Sequence, residues 1–310
     1  MRLKTMSKKH IIVVGSSNTD MIIKVDRIPR PGESLLGGEF VIAAGGKGAN
    51  QAVAAARAGG QVTFVARVGR DMFGDQAIAG FAEEKINTEF VSRDKSRPSG
   101  VALIFVAKDG ENSIAVAGGA NNGLSAADVK KAKASFAGVS MLVMQLETPP
   151  ESVQAAADLA AKAGVPVILN PAPARAIPDE LLKKVSIITP NETEAELLTG
   201  IKVDSDQAAA LAADKLLARG VKTVIITLGS RGAFVVGDGI KKLVPGFKVK
   251  AVDTTAAGDT FNGALAVALV EGKNLENAVR FAHAAAALSV TRLGAQPSVP
   301  TRKEIEKLLN

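Results

Sequence analysis

Short apolar runs rich in β-branched residues alternate along the chain with longer Ala-rich stretches. The runs at 10–15, 62–67, 140–145, 165–170, 185–189 and 223–228 carry little polar alternation. That pattern predicts strands buried on both faces. Between or after them, apolar positions recur at helical spacing over 48–58, 72–85, 125–136, 151–163, 192–199, 205–219, 259–271, 274–290 and 301–309. Strand and helix in alternation predict an α/β fold, with a mostly parallel central sheet flanked by helices on both faces. Two segments break the alternation. Residues 20–43 carry Met21–Val25, then Pro29, Pro31 and Gly32, then Phe40-Val41-Ile42. Residues 99–117 read as a hairpin, Val101–Val106 and Ile114–Ala117 about a polar turn at 108–112. Both predict strands outside the main sheet, gathered into a small antiparallel β lid over the carboxyl ends of the parallel strands. No linker or low-complexity stretch divides residues 9–310, which read as one domain.

Composition narrows the classes. At 310 residues, with 47% hydrophobic and 22% charged positions, the chain can bury a large core and does not read as disordered. No run approaches the ~18 apolar residues of a membrane span. The absence of cysteine removes disulfide scaffolds, thiolate metal sites and thiol catalysis. The net charge of +7 invites a nucleic-acid reading, but Arg2, Lys4, Lys8 and Lys9 crowd the first ten residues, which lack Asp and Glu. Beyond them, 34 basic residues face 31 acidic ones, a mixed surface of net +3. With no Trp or Tyr to stack on bases, neither nucleic acid nor membrane is an expected partner. Ile11–Val14 is too short for the apolar core of a secretory signal, so residues 1–8 read as a flexible basic N-terminus and the protein as cytoplasmic.

Five polar segments follow strands or precede helices. Gly45-Gly46-Lys47-Gly48-Ala49-Asn50 leads into the helix at 51–58. It is not a phosphate-binding P-loop, because Gly48 stands where Ser or Thr must follow the Lys. Three glycines around a Lys favour close approach of a polar ligand. Gly15–Asp20 places Asn18 and Asp20 after the first strand, an amide and a carboxylate suited to neighbouring hydroxyls, or equally to a polar turn. Asn191-Glu192-Thr193-Glu194 reads both as a helix capping box and as carboxylates able to organise hydrated Mg²⁺. Leu228–Gly232 reads as a phosphate-presenting turn or as a plain turn. The most informative segment is Asp253–Thr260. The N–H groups of Ala256, Ala257 and Gly258 converge at a helix start to make an anion hole, with Asp259 beside it. That pairing suits phosphoryl transfer, although Asp259 also reads as a helix cap.

Gly45–Asn50 with Gln51–Ala54, and Asp253–Asp259 as Asp-Thr-x-(Gly/Ala)-Ala-Gly-Asp, resemble the two signatures of the ribokinase-type (phosphofructokinase-B) carbohydrate kinases. Met144–Glu147, Asn170–Arg175 and Gly294–Pro300 are similar to the ribose-phosphorylating branch. The resemblance implies ATP-dependent phosphorylation of D-ribose at its 5-hydroxyl, with a related sugar or nucleoside kinase as the alternative and a non-catalytic sugar sensor behind it. It implies Asp259 as base and Ala256, Ala257 and Gly258 as the anion hole. Asn18, Asp20, Gly46, Lys47, Asn50 and Glu147 would bind sugar. Asn191, Thr227, Gly229, Ser230, Gly232, Gly258 and His283 would contact ATP. Glu194 would hold Mg²⁺ through water. A K⁺ ion or other monovalent activator would sit at Asp253, Thr255, Ser289, Arg292, Gly294 and Ser298. The lid implies a homodimer.

Overall fold

The computed structural model describes residues 10–109 and 111–310. The basic stretch 1–8 and Gly110 of the 108–112 turn lie outside the described residues. The six predicted strands are β1 (His10–Val14), β4 (Gln61–Gly69), β8 (Met141–Met144), β9 (Val167–Leu169), β10 (Ile187–Ile188) and β11 (Thr223–Thr227). Three more complete the central sheet: β5 (Asn87–Asp94), β12 (Gly232–Gly237) and β13 (Ile240–Pro245). The order is β13-β12-β11-β10-β9-β8-β1-β4-β5, parallel except near one edge, where β12 pairs antiparallel with both β11 and β13. β5 and β13 are the two edges, where polar residues such as Glu89, Arg93, Lys241 and Lys242 interrupt the apolar run.

The helices are α1 (Lys47–Arg57), α2 (Met72–Glu83), α3 (Ala126–Lys131), α4 (Pro150–Ala163), α5 (Asp179–Leu182), α6 (Glu192–Thr199), α7 (Asp206–Ala218), α8 (Ala257–Val270), α9 (Leu275–Ser289) and α10 (Arg302–Leu309). Residues 132–136, expected to continue α3, tighten into a 3₁₀ turn. Successive residues of β1 feed opposite cores. Ile11 and Val13 pack with Phe64, Phe261 and Phe281 on the face covered by α1, α8 and α9. Ile12 and Val14 pack with Val153, Ala195 and Leu216 on the face covered by α4, α6 and α7. None of these helices is long and apolar enough to cross a membrane.

The lid contains β2 (Asn18–Val25), β3 (Glu39–Gly45), β6 (Gly100–Ala107) and β7 (Asn112–Ala117), in the order β3-β2-β6-β7. β2–β3 and β6–β7 are antiparallel pairs, as expected, but β2 and β6 meet in parallel over eight residue pairs. The reason is topological. β2 leaves the end of β1 and β6 leaves the end of β5, and both parent strands point the same way.

Chain order reverses at β1, which has β4 on one side and β8 on the other. The loops after β1 and β8 diverge there, opening a crevice at the carboxyl ends of the sheet, where α/β folds bind ligands. Two helix starts converge on it. α1 approaches β1 so closely that a Cβ on Gly48 would lie 2.5 Å from the Gly15 carbonyl carbon. α8 crosses α1 with equal closeness, since a Cβ on Gly263 would lie 2.6 Å from Ala54 Cβ and 2.6 Å from the Gln51 carbonyl oxygen. Gly263→Val should therefore push the helices apart and lower the unfolding free energy by ~1–3 kcal/mol, read as a lower urea midpoint. An unchanged midpoint would contradict this packing.

Candidate active site

The crevice holds a cavity of about 200 Å³, lined by Lys47, Asn170, Thr189, Asn191, Glu194, Thr227, Thr254, Ala256, Ala257, Gly258, Asp259 and Asn262, among others. Three neighbouring strand ends deliver residues to it. Asn170 follows β9, Thr189 and Asn191 follow β10, and Thr227 ends β11, bridged to Asn191 in parallel. Asp259 sits in the first turn of α8 and is 5% exposed. Asn50 Nδ2 donates to its Oδ2 at 2.9 Å, and Gln51 Nε2 donates to its Oδ1 at 2.9 Å. Burial pushes the Asp259 carboxyl above its ordinary pKa, against the opposing pull of Lys47 and the two amide donors.

The start of α8 has no side-chain cap. Ala256 takes up a left-handed conformation with φ 58° to turn the chain into the helix, at a cost of about 1–2 kcal/mol for a residue with a Cβ. Asn262 braces this turn, donating from Nδ2 to the Gly258 carbonyl at 2.8 Å and accepting from Thr189 Oγ1 at 2.7 Å. A Cβ built on Gly258 would meet open space, so the turn faces the cavity. The Ala257 N–H is drawn to the Thr254 carbonyl at 3.3 Å. The Gly258 and Asp259 N–H groups are first-turn donors that precede the helix's own hydrogen-bond ladder, as an anion site requires.

On the lid side, Asp20 of β2 is 7% exposed. Burial, then repulsion from Glu147 and Asp259, pushes its carboxyl up to about 7. Glu147 accepts from the Ser16 hydroxyl and, at 3.0 Å, from the Lys47 N–H. Gly46 immediately precedes α1. Attraction to Asp259, then to Glu147, Glu194 and Asp20, raises the Lys47 ammonium above its ordinary value against its burial. Asn18 Oδ1 accepts from Asn121 Nδ2 at 2.7 Å. Asn121 is itself pinned to Ser17, whose N–H donates to Oδ1 at 2.9 Å while Nδ2 donates to the Ser17 carbonyl at 3.1 Å. The Asn18 amide thereby presents its NH₂ end rather than its oxygen to a ligand.

Asn191 and Glu194 do form the capping box, the Asn191 side chain accepting at 2.8 Å from the Glu194 N–H and the Glu194 carboxylate at 3.0 Å from the Asn191 N–H. The same buried Glu194 lines the cavity, so capping does not remove it from the crevice. Burial raises its carboxyl above the ordinary range. Among the described residues no three His, Asp or Glu side chains gather as a metal cage. A cavity carboxylate with one oxygen engaged, as in Glu194, suits a Mg²⁺ that keeps most of its water and phosphate oxygens.

Asp253 knits two loops together, accepting from the Thr255 N–H at 2.9 Å and from the Gly294 N–H at 2.8 Å. The Val252 N–H donates to the Val290 carbonyl at 2.7 Å alongside. The Ser289 and Ser298 hydroxyls donate to local carbonyls, and the Arg292 guanidinium pairs with Glu304.

Gly229, Ser230, Gly232 and His283 do not line the cavity. The first two lie in an exposed 3₁₀ turn beyond β11, while Gly232 opens β12, where a Cβ would lie 2.1 Å from the Val244 carbonyl. His283 lies on α9 with its ring 5.1 Å from that of Phe261, and its Nε2 is buried without a partner. Burial lowers its pKa to about 4, so the ring is neutral. Sequence reading passed over Gln51, Asn121 and Asn262, because a buried amide inside a helix or turn carries no spacing signature.

Residues 8–302 match the pfkB family carbohydrate kinases. The ribokinase of Haemophilus influenzae is 50% identical over 302 residues, covering 97% of this chain and 99% of that protein. A deoxyribokinase of Salmonella typhi is 39% identical, covering 97% of this chain and 98% of that protein. The structure of Arabidopsis thaliana ribokinase complexed with ribose and ATP superposes with a TM-score of 0.87 at 37% identity, covering 97% of this chain and 98% of that one. The chain belongs to the pfkB family of carbohydrate kinases.

Asp20 gives the stability test. Its folded pKa, about 7, stands above the ordinary 3.8. The proton it binds in the folded state favours folding below pH ~4, and that advantage is lost as pH rises through about 7. Asp20→Asn should thus raise the unfolding free energy at pH 8 by ~1–3 kcal/mol and change little at pH 4, in urea melts at the two pH values. Equal effects at both would contradict the raised pKa.

Proposed function

We propose that this chain phosphorylates D-ribose at its 5-hydroxyl with ATP, releasing D-ribose 5-phosphate and ADP. The observation that carries the reading is the buried Asp259 carboxylate at the uncapped start of α8, in a chain half identical to a ribokinase along its length. Asp20, the Asn18 amide, Asn50 and Glu147 hold ribose hydroxyls through the lid side of the crevice, with Gly46 and Lys47 at the start of α1. Asp259 accepts the proton of the 5-hydroxyl as its oxygen attacks the γ-phosphorus in line. The bond to the ADP oxygen breaks, and the first-turn N–H groups of α8 hold the charge on the moving phosphoryl group. The raised pKa of Asp259 strengthens it as a base. Lys47 balances the carboxylates around it. Asn191 and Thr227 border the phosphates of ATP, with Gly229, Ser230, Gly232 and His283 toward the rest of the nucleotide.

Glu194 would hold Mg²⁺ through water, and the ion would supply screening of phosphate charge. Asp253, Thr255, Ser289, Arg292, Gly294 and Ser298 would hold K⁺, whose charge would help fix the backbone leading into α8. The protein works as a homodimer. Phe40, Ile42 and Leu103 lie on one face of the lid and Ile114 and Val116 on the other, each more than half exposed. A second copy covers them. Sedimentation at micromolar concentration should give twice the chain mass of 31.8 kDa, and a monomer would refute the pairing.

Coupled ADP release should be led by ribose over 2-deoxyribose, fructose and adenosine, and be stimulated by K⁺. Turnover led by 2-deoxyribose would transfer the substrate to the chemistry of the deoxyribokinase relative. Asp259→Asn should keep ATP and ribose binding by calorimetry and lose turnover by ~10³-fold or more. Near-normal turnover in that variant would remove Asp259 as the base.

A further inference from the structure

Behind Asp259 lies a chain of buried amides whose orientation is set at one end by a group that can only accept. Asn170 Nδ2 donates to the Thr189 backbone carbonyl at 3.4 Å. Its Oδ1 therefore faces Gln51 and accepts from Gln51 Nε2 at 3.1 Å. The same Nε2 donates to Asp259 Oδ1 at 2.9 Å, which uses both of its hydrogens. Gln51 Oε1 accepts from Gln145 Nε2 at 2.6 Å. Gln51 and Gln145 have no exposed surface, so neither can exchange its partner for solvent. Gln145 Oε1 is left without a partner, and Gly15 makes room for it, since a Cβ there would lie 2.0 Å from that oxygen.

The two oxygens of Asp259 are thus held differently. Oδ1 is tied to Gln51, and through it to β9 and to the residue after β8. Oδ2 is tied only to Asn50, whose own Oδ1 is buried without a partner. Asn50 has an unspent acceptor, to which a ligand hydroxyl can donate. Gln51 has nothing left to trade.

We propose that Gln51, oriented by Gln145 and Asn170, is a positioning residue that locks Asp259 by Oδ1 and leaves Oδ2 as the oxygen that receives the substrate proton. The proposal rests on the reading of Asp259 as the base. A carboxylate free to rotate presents either oxygen; one pinned by a charge-assisted bond from a buried, oriented amide presents a single oxygen in a single direction.

The test measures kcat and both KM values from pH 5 to 9, with thermal melts, for wild type, Gln51→Met, Gln145→Met and Asp259→Asn. Gln51→Met keeps the length of the side chain and removes its donors. It should lower kcat by ~10–100-fold, as loss of a hydrogen bond to a charged group does, and leave both KM values within ~3-fold. The acid limb of kcat should move to higher pH, because a donor that favours the charged carboxylate is gone. Gln145→Met frees Gln51 to turn and should show the same pattern at ~3–10-fold. A Gln51→Met enzyme within twofold of wild-type kcat with an unmoved acid limb overturns the proposal. So does a loss confined to KM or to melting temperature. If Gln51→Met does not fold, Gln145→Met decides by the same criteria. Near-normal turnover in Asp259→Asn brings down the base reading itself, whereas an inactive Asp259→Asn beside a normal Gln51→Met brings down this proposal alone.

Discussion

The close crossing of α1 and α8 is the constraint on which the site depends. Two helix starts must reach one crevice, and their axes must lie near enough for Asn50 and Gln51 on one to hold Asp259 on the other. Any side chain at 263 larger than hydrogen would fill the space between them, where Ala54 already touches. The crossing lies in the core on the α1–α8–α9 face, so apolar packing behind it supplies the rigidity that the polar groups in front of it use. The lid, the capping box at Asn191 and the left-handed turn at Ala256 all take their places relative to this junction.

The site is electrostatically uncomfortable. Asp20, Glu147, Glu194 and Asp259 surround a single Lys47, and the carboxyls of Asp20, Glu194 and Asp259 are all pushed upward by burial. A protein built only for stability would replace several of these with apolar residues. Their retention, against a desolvation penalty, marks the crevice as a place where charge is used. The arrangement suits an acceptor rich in hydroxyls, which can donate to each carboxylate, and a phosphate donor that brings its own cation.

The parallel strands were legible because burial on both faces leaves an uninterrupted apolar run, and the helices because Ala-rich amphipathic stretches stand between such runs. Edge strands β5 and β13 were not, since an edge carries polar residues that break the run. The parallel seam of the lid depends on β2 and β6 leaving parent strands that point the same way, a relation no local pattern encodes. The uncapped start of α8 was legible because small residues precede the helix. Gln51 was not, because its partners lie 94, 119 and 208 positions away and an amide in a helix looks like any other polar residue. Gly232, which the sequence groups with a phosphate turn, has a packing reason of its own to lack a Cβ, the close approach of the Val244 carbonyl.

The lid and the core divide the work of recognition. Asp20 rides on β2, outside the central sheet, yet feels Glu147 after β8 and Asp259 on α8. Its charge is therefore least favourable when the lid strand is seated over an empty crevice. A hydroxyl-bearing ligand that donates to Asp20 and to its neighbours favours the charged form of each, and so favours the seated lid. Protonation of Asp20 relieves the same repulsion without a ligand, so lid seating, acceptor binding and pH act on one set of carboxylates. Gln51 stands on the other side of this division. It is fully buried, and its bond to Asp259 Oδ1 at 2.9 Å involves no lid residue. The crevice thus combines a carboxylate carried by the lid with one held from the core.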